Sequence, residues 1–411
     1  MTRQSEAGGK KLSAVGLIGI LLCLAALPFF PPARTARGLG LFVALLALHV
    51  TASIAFYRYA LTSSADAALY YYDTTGLRRS GFQAGTIFTI KLAQSLKGIV
   101  GGTYLDHFLI FQSFGFWGLL LLQRCIAHAQ REFGDAITPA PYWLLFLPGL
   151  HFWTGAIGKD APLFFSISLA VWATIRLSTR AIWFALAVAI MLMFRPHIAL
   201  ITTASLAAGL FFGSKTNVIT RFLLIGIALA ALGLVAGTVE KSLVVDLSDP
   251  ASVGAFLEQQ QQRAGWISGA TNLQNSIFPV RLFSLLFRPF FLDAGGAFGL
   301  ISSVENLVYL TVIGFMVWNW REAAQLFRVG LQFRFAIVFS VVLTVLLTLT
   351  YYNVGLGLRQ KTMIMPALLT LFSAQWFLHR ARIHYWSTVD RMRHDSAGKP
   401  SFEAGSAASA R

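Results

Sequence analysis

Apolar segments of about 17–25 residues recur along almost the whole chain, and each is long enough to cross a bilayer as a helix. This feature constrains the fold more than any other. A chain built mostly of such segments is a polytopic membrane protein, not a soluble domain with an anchor. Composition agrees: of 411 residues, 56% are hydrophobic and 12% charged, against about 25% charged in soluble domains, and the mean hydropathy is +0.64. The fold class expected is all-α, a polytopic transmembrane helix bundle of about 10–12 spans with outward-facing loop helices.

The runs place helices near residues 12–31, 38–57, 105–123, 141–156, 161–177, 181–194, 198–213, 221–238, 300–319, 334–351 and 362–379. Lys10 and Lys11 precede the first run, but no small-residue cleavage site follows before Pro31 and Pro32, so that run reads as a retained helix. Arg380, Arg382, Arg391 and Arg393 put the C-terminus in the cytoplasm, because cytoplasmic loops collect Lys and Arg. Counting back, Arg321–Arg334, Lys215–Arg221, Arg176–Arg180, Arg124 and Arg131 fall on the same side. Residues 1–394 form one integral membrane domain with outward-facing regions 58–104 and 239–299. Residues 395–411 are small and polar and read as a disordered cytoplasmic tail. The segment "GFQAGTIFTIKLAQSLKGIVGG" (81–102) carries Lys91 and Lys97 and reads as an amphipathic interface helix. "FPVRLFSLLFRPFFLDAGGAFG" (278–299), broken by Arg288, Pro289 and Asp293, suits a re-entrant or interface-hugging segment better than a clean span. Gln259–Gln262 fall on an extramembrane helix.

Net charge is +16, from 33 Lys+Arg against 17 Asp+Glu. Much of this is orientation signal, and no soluble basic–aromatic module points to nucleic acid. The outer side, which should be poor in cations, nevertheless carries Lys159, Arg195, Arg281, Arg288, Arg359 and Lys361 near helix ends. Long cations can snorkel to headgroups one at a time. Six on the disfavoured face point instead to an anionic ligand, and the arginine fork matches phosphate oxygens. At membrane depth, several arginines around one pocket suit a lipid-linked diphosphate. The carboxylates available are Asp66, Asp73, Asp160, Asp293 and Glu305. Some must pair with these cations, and Glu305, about one turn inside its helix, is the most expensive to leave unpaired.

Aromatic residues flank the same charges. Tyr70, Tyr71 and Tyr72 stand between Asp66 and Asp73, Trp153 precedes Lys159, and Tyr351 and Tyr352 precede Arg359. They read either as an interfacial aromatic belt or as platforms for sugar rings. His151 and His197 adjoin the outer charges as proton-carrier candidates, whereas His49, His107 and His128 read as structural. Cys23 and Cys125 lack metal spacing and read as packing residues. Phosphate-loop, H-E-x-x-H and zinc-ligand patterns are absent from the sequence, and no metal or cofactor is expected.

Four stretches resemble a known group. "LPGLHFWTGAIGKDAPLFF" (147–165) is similar to the P-x-x-x-F-W-[ST]-x-x-x-x-K-[DE] segment of bacterial Wzy-like O-antigen or exopolysaccharide polymerases. "FRPHIAL" (194–200), "LFRPFFLDAGGAFGLISSVENL" (286–307) and "NVGLGLRQKTMIMP" (353–366) resemble three further segments of that group. "FFLDAGG" (290–296) departs from it, being less aromatic and acidic after Arg-Pro-Phe. The resemblance implies transfer of a glycan from undecaprenyl diphosphate to the next lipid-linked repeat unit, at the periplasmic face of the inner membrane. It implies a diphosphate-binding set of Lys159, Arg195, Arg288 and Arg359 and acidic positions at Asp160 and Glu305. With Asp66, these carboxylates make up the catalytic candidates, and Tyr71, Trp153 and His197 are the sugar-binding candidates. Partners would be the lipid-linked glycan, the bilayer, and chain-length regulator and export proteins. Two other classes share these substrates: an O-antigen ligase or lipid-linked-sugar glycosyltransferase, and a lipid-linked oligosaccharide flippase.

Overall fold

A computed structural model of the chain describes residues 13–63, 65–79, 81–134, 141–213, 249–262, 276–351 and 353–397, with five single positions between 222 and 236. Most of the expected span 221–238, and residues 398–411 of the tail, lie outside the described residues. The described residues are all-α, with no strand. In chain order the helices are α1 (Ala14–Leu24), α2 (Ala36–Thr62), α3 (Asp66–Tyr72), α4 (Thr86–Val100), α5 (Tyr104–Phe133), α6 (Pro148–Thr154), α7 (Asp160–Thr174), α8 (Leu177–Phe194) and α9 (Pro196–Phe211). They continue with α10 (Pro250–Gln262), α11 (Phe278–Phe287), α12 (Gly296–Trp318), α13 (Trp320–Val329), α14 (Leu331–Leu349) and α15 (Val354–Ala397).

Helices α2, α5, α8, α12 and α14 are each long and apolar enough to cross a membrane. α5 is the central post. It packs against α1, α2, α7 and α15, and 78% of its most apolar stretch is inside the protein, against 22% for α8 and 28% for α2. Thr103 and Asp106 form a capping box that starts it, satisfying backbone N–H groups that a first turn leaves orphaned. Its 30 residues run about 45 Å, ten residues past the expected end, so that Arg124 and Arg131 ride on the same rod. α7 buries nearly every side chain from Asp160 to Thr174, as a helix apolar on all sides must.

The expected span at 141–156 is not one helix. The chain is a 3₁₀ turn at Tyr142–Phe146, then the short α6, then a non-helical stretch to Gly158. Pro148 explains the break, since it lacks an N–H and opens α6 as its first residue. α5 and α7 therefore run in the same direction, and this broken segment returns the chain between them. Backbone without helical hydrogen bonds is tolerated at such depth only where protein satisfies it. Buried polar side chains do so. The Glu305 carboxylate accepts from the Gly149 N–H at 2.6 Å. His151 Nε2 meets the Leu145 carbonyl at 2.7 Å, and Ser53 donates to the Gly155 carbonyl at 2.6 Å. His49, at the middle of α2, bridges His151 (3.1 Å) and the Gln112 carbonyl (2.9 Å).

Elsewhere the limits move for local reasons. α1 stops at Leu24 and gives way to 3₁₀ turns around Pro28 and Pro31–Arg34, so the 12–31 run is not one rod. α15 begins at Val354, eight residues before the expected start, and continues through Pro366 to Ala397. The expected break at 288–295 is present: α11 ends at Phe287, a short turn spans Phe291–Asp293, and α12 begins at Gly296.

Candidate functional site

Five chain segments converge at the end of the bundle where α7 and α15 begin and α8 ends. Asp160 is the first residue of α7 and Asp66 the first of α3, positions where the positive end of a helix dipole favours a carboxylate. Arg195 is the single residue joining α8 to α9, set by Pro196 immediately after it. Arg359 lies in the second turn of α15 and spreads its fork between the two acids. Its Nη1 donates to Asp66 Oδ2 at 2.7 Å and its Nε to Asp160 Oδ2. Arg195 Nη2 approaches the other Asp160 oxygen at 3.4 Å. Lys159, one residue before Asp160, turns the other way and donates to Thr86 at the start of α4, 2.8 Å away. The same end of α4 is tied to α8 by the Gly85 N–H on the Met193 carbonyl, at 2.8 Å.

The charges do not cancel. Lys159, Arg195 and Arg359 face Asp66 and Asp160, and Lys159 makes no ion pair among the described residues. The Asp160 side chain is 8% exposed and held on both oxygens, whereas that of Asp66 is 52% exposed. Asp160 is thus enclosed between two arginines, and Asp66 is the more open of the two carboxylates. His197 stands in the field of Arg195 and Lys159. The arrangement can bind an anion through Lys159 and Arg195 and can take a proton at Asp66.

Burial, then the charges of Arg195 and Arg359, push the Lys159 ammonium down to about 8. Lys159 is thus charged below that pH and loses its charge as pH rises through it. Affinity for a diphosphate diester, which does not itself titrate there, is expected to fall roughly tenfold between about pH 7 and pH 9. Lys159→Arg keeps its charge and should flatten this profile. Equilibrium binding at a series of pH values checks it, and an unchanged profile in Lys159→Arg would remove Lys159 from the anion site.

Other residues expected at the site lie apart from this cluster. Arg288 bonds Asp293 within its own loop, and Asp293 also accepts from the Phe290 N–H. Glu305 is buried against Gly149 and Tyr309, whose hydroxyl donates at 2.5 Å. Tyr71 packs on Tyr104 and His107 and donates to the Gly102 carbonyl at 3.0 Å. Trp153 sits in an aromatic group with Phe56, Phe152 and Phe298. Among the further outer cations, Arg281 donates to the Leu349 carbonyl at the end of α14, at 2.6 Å. Lys361 is buried on Asn306 and the Leu286 carbonyl, at 2.5 and 3.1 Å.

One residue in the cluster was not singled out from the sequence. Thr86 gave no signal, since only the fold brings α4 to Lys159. Tyr70, read from the sequence with Tyr71 and Tyr72 as an interfacial belt or a sugar platform, lies four residues after Asp66, on the same helix face. In the fold it stands among Asp66, Arg359, Asp160 and Arg195, and burial, with the Asp66 charge, pushes its phenol up to about 12. It remains a proton donor at any ordinary pH.

Among the described residues, no group of three or more His, Cys, Asp or Glu side chains could hold a metal ion. Two cavities lie away from the cluster, one of about 530 Å³ around Glu322 and Arg382 and one of about 540 Å³ around Arg124 and Trp172. The fold and its helices define a class, a multi-pass helical membrane protein with an ionic cluster at one end. Comparison of the chain with protein-family models, curated proteins and solved structures finds no match in any of the three.

Proposed function

We propose that this protein is a polysaccharide polymerase of the bacterial inner membrane. It would join undecaprenyl-diphosphate-linked repeat units into exopolysaccharide or O-antigen at the periplasmic face. The reading rests on one observation: Lys159 and Arg195, from separate loops, stand at the end of an apolar bundle beside an exposed carboxylate, Asp66. The resemblance of 147–165, 194–200, 286–307 and 353–366 to the Wzy-like group adds the reaction class.

In this mechanism an acceptor hydroxyl attacks the anomeric carbon of the donor sugar. A new glycosidic C–O bond forms as the bond from that carbon to the diphosphate oxygen breaks. The electron pair leaves with the lipid diphosphate, and Lys159 and Arg195 offset the charge that develops there. The hydroxyl proton passes to Asp66, acting as general base. Arg359 is a positioning residue that sets the two carboxylates. Asp160 holds Arg359 and Arg195 in place. Arg288 is left outside the clamp because Asp293 already engages it, and Glu305 because it serves the broken segment.

Gene deletion followed by gel analysis of lipid-linked glycans tests the reading. Single repeats accumulating on the outer leaflet are expected, with polymer restored by the wild-type gene and not by Arg195→Gln. Repeats trapped on the inner leaflet would mean a flippase, and finished polymer left unattached would mean a ligase.

A further inference from the structure

At the opposite end of α7 a second basic cluster has no part in this mechanism. The 15 residues of α7 separate it from Asp160 by roughly 20 Å. Arg124, His128 and Arg131 share one face of α5, being four and three residues apart. They meet the corner between α7 and α8, which supplies Trp172, Arg176 and Arg180, around a cavity of about 540 Å³. Arg180 lies where the backbone leaves helical geometry (φ −123°, ψ 16°). Its guanidinium stacks 3.8 Å from the centre of the Trp172 ring and donates to the Trp172 carbonyl at 3.0 Å. Arg124 stands 6.0 Å from the same ring.

Among the described residues, none of the four arginines makes an ion pair within 4.0 Å. The nearest acid on α5, Glu132, is felt by His128 but does not pair with them. Arginines that only orient a chain extend their heads into solvent or headgroups. Here Arg124 and Arg180 converge on one indole, and each carries the field of another arginine. Such convergence costs free energy until an anion occupies the space between. Planar forks of this kind match phosphate oxygens. The cavity is several times the size of a phosphate, and Trp172 and Ile175 give it an apolar wall, as a site for an organic ligand would have.

We infer that this cavity binds a phosphate-bearing organic anion, held by Arg124 and Arg180 inside and by Arg131 and Arg176 at the exposed rim. The phosphate would come from an anionic lipid headgroup or from a soluble phosphate ester. Thermal unfolding of the full chain in neutral detergent, titrated with dihexanoyl phosphatidic acid and separately with glycerol phosphate, distinguishes the two. At least one probe should raise the midpoint, and its apparent affinity should fall about tenfold in the double variant R124Q/R180Q. Protection by the lipid alone identifies a headgroup, and equal protection by both identifies a soluble ester. The Arg195 cluster is common to both proteins, so the difference between them reports this cavity. Should R124Q/R180Q not fold, R131Q/R176Q, altered only at the rim, is expected to weaken the same response by at least about threefold. No protection by either probe, or a variant that responds as the wild type does, would overturn the assignment.

Discussion

Arg359→Ala is expected to destabilise the protein by about 1–3 kcal/mol and to abolish its activity. The variant leaves Asp160, with a side chain only 8% exposed, facing Arg195 alone at 3.4 Å. Asp160 keeps one cation, but the oxygen that Arg359 held loses its charged hydrogen bond, and a buried acceptor left unpaired costs about 1–3 kcal/mol. Asp66 also loses its fixed position, although its exposure lets water replace the lost bond at little cost. Removing the acid together with the cation should restore much of the loss. Thermal unfolding of Arg359→Ala, Asp160→Ala and the double variant closes a cycle, with an expected coupling of at least about 1 kcal/mol. Arg359→Lys should fall between, because a point charge cannot reach both carboxylates as the fork does. Additive single effects would mean that the two groups do not hold each other.

Gly149→Ala is expected to produce the second large effect, far from any reacting group. A Cβ at this position would lie 2.7 and 2.8 Å from the two Glu305 oxygens, so the carboxylate must withdraw. Its departure strands the Gly149 N–H and the Tyr309 hydroxyl, and each unpaired buried group costs about 1–3 kcal/mol. Glu305→Leu should reproduce the loss by removing the acceptor itself. Glu305→Gln keeps an acceptor of the same shape and should lose less. The midpoint of thermal unfolding ranks the three. If Gly149→Ala matches the wild type, the broken segment is not held through Glu305.

Much of the bundle was legible because the bilayer imposes a simple rule. Helices α2, α8, α9, α12 and α14 fall within a few residues of their apolar runs. The exception at 141–156 is instructive. Its hydropathy is that of a span, and hydropathy does not record Pro148 or the polar side chains that repair the backbone there. Two of those side chains come from other helices, Ser53 from α2 and Glu305 from α12. For the same reason Glu305 and His151 looked like chemistry in the sequence and serve as backbone partners in the fold. An ionisable group in an apolar run marks something unusual, but its partner decides what.

The ionic cluster was legible in part. Lys159, Asp160, Arg195 and Arg359 stood out as charges at apolar helix ends, and the fold brings them together with Asp66. Helix phase accounts for what was not read. Arg359 and Lys361, two residues apart, point to different sides of α15, one to Asp160 and the other to Asn306. Tyr70 and Tyr71 diverge in the same way, and only Tyr70 shares the Asp66 face. Arg288 could not be placed from its motif, because its loop supplies its own acid in Asp293.

Reconstitution tests the central claim most directly. The purified chain in proteoliposomes, supplied with a lipid-diphosphate-linked repeat unit as both donor and acceptor, should yield a ladder of longer glycans. One lipid diphosphate should be released per bond formed. The double variant Lys159→Met/Arg195→Gln should bind the substrate weakly and make no ladder. Wild-type protein that moves the repeat unit across the membrane without lengthening it would contradict the account, as would a ladder undiminished in the double variant.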